Sequence, residues 1–186
     1  MESGSPKPSR RLGATRTTEA AAKAPADAGQ TPASPHHVNV VDEQSRPVDR
    51  PRLGRLADCV LTALDVPTEL ELCLTCVDTA RITELNEAYL GGDGATDVLA
   101  FPIDAPDEVT DGVPGLLGDV VLCPAVAERQ AFEHGRTPDE EIDLLAVHGI
   151  LHLLGHDHAE ADERAEMFAL TDTLLSDFAA AEAARS

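Results

Sequence analysis

The sequence predicts an α+β fold, bordering on mixed α/β: a single four-stranded mixed sheet covered by about five helices, one of them bearing histidines. Three observations lead there. Strand-like and helix-like segments alternate from residue 38 to residue 134, helical periodicity dominates afterwards, and no segment repeats. Such a pattern belongs to one sheet with helices packed against it. The 186 residues suit one domain, and with 42% hydrophobic but 3% aromatic residues, no Trp and one Tyr, its core must be aliphatic.

Residues 1–35 are rich in Ala, Pro, Ser, Thr and Gly and nearly free of large apolar side chains. They cannot bury enough surface to offset the entropy of ordering, so a disordered extension is expected, with a transit peptide as the alternative. The folded domain is expected over 36–186.

VNVV at 38–41 reads as the first strand. Asp49 then caps a helix with Pro51 in its first turn and Leu53, Leu56, Val60, Leu61 and Leu64 as its apolar stripe. A second strand is expected at about 70–77. Ile82, Leu85 and Tyr89 suggest a short helix over 80–90 that stops at Gly91-Gly92. DVLAFPI at 97–103 reads as the third strand, 104–117 as an acidic loop, and GDVVLC at 118–123 as the fourth strand, followed by a helix over 124–134. Thr137-Pro138-Asp139-Glu140 forms a capping box that launches the next helix. Met167, Leu170, Leu174 and Phe178 mark a last amphipathic helix over 160–183.

That capped helix carries HGILHLLGHDH, residues 148–158. His148 and His152, at i and i+4, lie on one helix face. Gly155 can end the helix in a left-handed conformation and return the chain, bringing His158 to the same point. Three neutral imidazoles converging with a fourth position open is the arrangement of a catalytic zinc site. The helix is apolar on nearly every side, so both imidazoles need partners. His156, two residues from His158, is read as a bystander. His36 and His37 are expected to be solvated, and His134 to sit at a helix C-terminus, where a cation is favoured.

H-x-x-x-H-x-x-G-x-x-H is also the ligand frame of metzincin peptidases, in which a glutamate follows the first histidine as general base. Here that residue is Gly149, and neither Asp157 nor Glu160 occupies the equivalent position. A peptidase would lack the group that deprotonates its water.

Cys73 and Cys76 form a CxxC in a strand-like segment, where residues three apart face opposite sides. All four cysteines, with Cys59 and Cys123, read as small buried hydrophobes in a reducing compartment. No apolar run approaches the ~18 residues of a membrane span.

The formal charge is −20, and residues 1–35 hold five of the 14 basic and three of the 34 acidic residues. Residues 36–186 therefore keep 9 basic and 31 acidic residues, a net −22, with no lysine. On charge alone this argues against a broad nucleic-acid-binding surface.

Three stretches nonetheless resemble the YbeY family of endoribonucleases, also called rRNA maturation factors: HGILHLLGHDH, LNEAYLGGDGATDVLAFP at 85–102 and LGDVVLCPAVAERQA at 117–131. The resemblance covers most of 37–178. It implies a zinc-binding α+β fold with one Zn2+ per chain, and a metal-dependent endoribonuclease directed at single strands. It also implies maturation of small-subunit ribosomal RNA and ribosome quality control. A cytoplasmic setting is expected, with no DNA or membrane partner. Matching positions make His148, His152 and His158 the metal ligands, and place His156 where the family commonly has tyrosine.

One position departs. The family usually carries an arginine directly after the tyrosine of LN-x-x-Y, and here it is Leu90. Leucine cannot bind phosphate or stabilise charge developing on it. Arg81, Arg129 and Arg136 are the nearest alternative cations in sequence, and no catalytic base is identified. Gly91-Gly92-Asp93-Gly94 offers amides for a phosphate, but a helix-to-strand turn needs those glycines equally. Two other functions stand beside the nuclease: a ribosome-biogenesis binding factor with a structural zinc, motivated by Leu90 and the charge, and the disfavoured zinc peptidase.

Overall fold

In the computed structural model the described residues are 35–110, 112–156 and 160–185. The expected disorder of 1–35 thus falls almost entirely outside them, as does His158. Strands β1 (Val38–Asp42), β2 (Leu70–Cys76), β3 (Val98–Pro102) and β4 (Gly115–Leu122) form one sheet in the order β1-β2-β4-β3. The first three in that order are parallel, and β3 closes the edge antiparallel to β4, giving the mixed sheet expected.

Among the described residues five α-helices cover it: α1 (Arg50–Ala63), α2 (Thr79–Leu85), α3 (Pro124–His134), α4 (Pro138–Leu153) and α5 (Ala161–Arg185). Asp49 caps α1 by accepting from the Arg52 amide at 2.9 Å. Thr137 and Glu140 close both halves of the capping box on α4. Leu70, Leu72, Leu74 and Cys76, every second residue of β2, are fully buried with the stripes of α1, α4 and α5. This is the main core, and Met167, Leu174 and Phe178 of α5 close it.

The other face of the sheet carries a smaller cluster, in which Leu99, Val121 and Cys123 pack with Ile82 of α2. Cys73 pairs with Asp119 on this face, while Cys76 lies in the main core, so the CxxC does straddle the sheet. All four cysteines are free thiols.

Two boundaries differ from expectation. The helix expected over 80–90 is α-helical only to Leu85, and Asn86–Leu90 forms a wider π turn. The Asn86 side-chain amide donates to the Gly94 carbonyl at 2.9 Å, and the Tyr89 ring meets Phe101 edge to face, so the turn is held by contacts beyond its own backbone. Gly91, at φ 65°, ends it, which gives the glycine run the turn role. The fourth strand begins at Gly115 rather than 118 and contains a bulge. Glu71 of β2 pairs with Leu116 but Leu72 pairs with Gly118, leaving Leu117 as the extra residue. Gly118 takes φ 146°, and a Cβ there would lie 2.3 Å from the Phe101 carbonyl oxygen, so only glycine fits. Loop patterning alone hides such a bulge. Its effect is one of parity: Leu117 is buried in the main core, Gly118 faces Leu153 of α4, and Asp119 is delivered to the opposite face.

Candidate metal centre and adjoining groove

Helix α4 is held rigidly because nearly all of it is buried, including two carboxylates that sequence reasoning missed. Glu141 accepts from His134 at 3.1 Å and Arg136 at 2.9 Å, and Asp143 accepts from Arg52. Burial pushes the Asp143 carboxyl above its ordinary range, while the Arg52 guanidinium pulls it back. His134, the last residue of α3, is thus a hydrogen-bond partner of Glu141, and Arg136 is committed to Glu141 rather than to a ligand. His37 is exposed as expected, but His36 is not solvated. It is 6% exposed, with Nδ1 2.9 Å from Asp58 and Nε2 3.0 Å from the Val66 carbonyl, pinning the chain before β1 to α1.

At the other end of α4 the Nε2 atoms of His148 and His152 stand 3.1 Å apart, with ring planes at 89°. Two nitrogens at ~2.0–2.1 Å from one tetrahedral zinc would be separated by roughly 3.3 Å, so the pair fits that ion. The helix then ends in a complete Schellman motif. The Gly155 amide donates to the His152 carbonyl at 3.1 Å and the His156 amide to the Leu151 carbonyl at 3.0 Å, with Gly155 at φ 84°. This is the left-handed conformation expected of Gly155. His156 itself is exposed. Among the described residues no group of three or more His, Cys, Asp or Glu side chains forms a metal cluster.

Gly149 is packed against the sheet rather than beside the imidazoles. A Cβ there would meet Val120 Cγ1 at 2.5 Å and Val98 Cγ2 at 3.1 Å. A glutamate at this position has no space and would point into β4, so the peptidase arrangement is closed sterically as well as chemically.

On the opposite face of the sheet lies an open groove of about 380 Å³, whose walls include Glu43, Thr75, Arg81, Tyr89, Phe101 and Asp119. Asp119 sits between Cys73 of β2 and Phe101 of β3 in register. Desolvation pushes the Cys73 thiol up, and the neighbouring Asp119 carboxylate adds to that shift. Tyr89 is 69% exposed, with its ring centroid 5.5 Å from that of Phe101. Apart from Arg81, the groove residues carried no functional signal in the sequence, because pairing between distant strands and the π turn bring them together.

The model of the endoribonuclease YbeY family matches residues 39–179. The chain belongs to that family. It is 47% identical over 144 residues to "Endoribonuclease YbeY" of Thermobifida fusca, covering 75% of this chain and 92% of the relative. To the protein of the same name from a Nocardioides species it is 47% identical over 142 residues, covering 75% and 95%. The solution structure of TM1509 from Thermotoga maritima shares the fold, with a TM-score of 0.55 and 25% identity over 80% of this chain and 93% of that one.

Within this YbeY-family chain, Leu90 is 61% exposed at the end of the π turn, a site open to solvent where an arginine would also fit. Of the three alternative cations, only Arg81 lines the groove, and it also donates to Glu84 at 3.1 Å. Arg129 is exposed on α3, away from the groove walls.

Proposed function

We propose that this protein is a zinc-dependent endoribonuclease that cuts single-stranded RNA during maturation of the small ribosomal subunit. The observation that carries the reading is the 3.1 Å approach of the His148 and His152 Nε2 atoms at the glycine-terminated end of a buried helix. With His158 they supply three imidazoles for one Zn2+. Such an ion, when bound, lowers the pKa of a water and polarises a phosphoryl oxygen.

The protein's own part is placement. The buried body of α4 fixes the direction of both imidazoles, and the Schellman motif ends the helix just beyond them. Both imidazoles must be neutral to ligate, so protons compete with the ion for them. The groove across the sheet edge offers aromatic surface on which unpaired bases can stack.

A cytoplasmic setting is supported by the four free thiols. Among the described residues no helix is long and apolar enough to cross a membrane. The test is cleavage of small-subunit ribosomal RNA precursor by the purified protein with its zinc measured. Stoichiometric zinc without cleavage, with or without chelator, would sink the enzymatic reading.

The second reading is a ribosome-biogenesis binding factor whose zinc is structural. Leu90 and the net −22 of residues 36–186 favour it. A His152→Ala variant that folds and still supports ribosome maturation in cells would decide for it.

A further inference from the structure

The groove does not suit a phosphate. Glu43 and Asp119 face it against the single guanidinium of Arg81, which already donates to Glu84. Two carboxylates repel an anion but accept well from the neutral N–H edge of a base. Resting on the endoribonuclease reading, we propose that this groove receives one unstacked guanine of the RNA. Asp119 reads its N1–H and N2 amino group, and Arg81 donates to O6.

Guanine is singled out by donor pattern. Its Watson–Crick edge carries two adjacent donors, which the two oxygens of one carboxylate can accept together. Adenine sets one acceptor beside its amino donor, uracil two acceptors around its single N–H, and cytosine two acceptors beside its amino group. Arg81 answers the remaining acceptor, O6. Stacking comes from Tyr89, whose ring is mostly exposed and stands at 73° to that of Phe101, which supports it edge-on. Asp119 reaches this face through its register beside Cys73, just past the bulge at Leu117-Gly118.

Position joins the groove to the histidines. β3 is the edge strand, with Val98 turned toward α4 at Gly149 and Phe101 turned into the groove. An RNA strand that meets both would cross this edge.

The experiment measures, by fluorescence anisotropy, the affinity of the full-length zinc-loaded protein for short 2′-O-methyl oligoadenylates, checked intact on gels. Each carries one central guanine, hypoxanthine or adenine, and unmodified precursor RNA is cut in parallel. The guanine oligomer is expected to bind about tenfold more tightly than the adenine one, the strength of a good bidentate contact. Hypoxanthine, which lacks the amino group, falls between. Asp119→Asn brings guanine and adenine within about twofold, and Tyr89→Ala weakens the guanine oligomer about fivefold or more. Should Asp119→Asn fail to fold, Arg81→Met serves in its place and must also shrink the preference. Equal affinities in a protein that cuts precursor RNA, or a guanine preference that survives Asp119→Asn, overturn the guanine assignment and leave the nuclease standing. A protein that neither binds nor cuts RNA overturns both.

Discussion

Gly149 lies so close to Val120 that a single methyl group at the glycine would come within 2.5 Å of the valine Cγ1. Val120 is fully buried and β-branched, so it has no easy rotamer to retreat into. The contact sets how near the histidine-bearing helix comes to the sheet.

Gly149→Ala is therefore expected to cost about 1–3 kcal/mol by overpacking. A denaturant melt checks this through a lower midpoint at an unchanged slope. An unaltered midpoint would mean that α4 floats more freely on β4 than its contacts imply.

Arg52 and Asp143 form the second stability test. Removing the guanidinium strands a nearly buried carboxylate, so Arg52→Met should destabilise by about 2–3 kcal/mol at pH 7. Burial already raises the carboxyl, which means that the folded state holds its proton more tightly than the unfolded chain. Stability tied to this group is full below the ordinary aspartate value and falls as pH rises through the raised one. The variant's deficit should shrink on acidification, read from melts across a pH series.

Glu140 runs the opposite way. Its bond to the Thr137 backbone amide holds its carboxyl below the usual glutamate range. The stabilisation from this half of the capping box is present above the unfolded-state value and is lost as pH falls through the folded one. The melting difference between the wild type and Glu140→Ala is expected to persist at neutral pH and disappear in acid.

Most of the fold was legible in the sequence because its signals are local. Asp49, the Thr137–Glu140 box and the two-residue alternation of β2 each announce an element within one turn or one strand. The histidine pair was legible for the same reason, since i and i+4 share a helix face. The groove was not. Asp119 meets the groove through its pairing with Cys73 of β2 and Phe101 of β3, and Tyr89 through a π turn held by Gly94 and Phe101, all contacts distant in sequence. The environment of His36 was misread because its partners, Asp58 and Val66, are 22 and 30 residues away.

The thiols give a chemical check. Burial pushes Cys76 up to about 12, and it lies wholly inside the core. Iodoacetamide at pH 8 should leave it unmodified until the protein unfolds, whereas Cys59, partly exposed, reacts slowly in the native state. Native labelling of Cys76, mapped by mass spectrometry, would contradict the packing of β2.

Leu90→Arg addresses the missing guanidinium. The position is open to solvent, so the substitution should leave stability within about 0.5 kcal/mol. If the family's arginine acts on the phosphate, cleavage should rise about tenfold or more, the scale of one added charge-stabilising donor. A large gain would also favour the reading in which the wild-type chain binds RNA more than it cuts it.

The most direct measurement pairs metal content with cleavage of small-subunit ribosomal RNA precursor, for wild type and His152→Ala purified side by side. The expected result is about one zinc per wild-type chain and chelator-sensitive cutting, with both lost in a variant that still folds. Undiminished cutting by a zinc-free His152→Ala protein would contradict the assignment of the histidine pair as the metal centre.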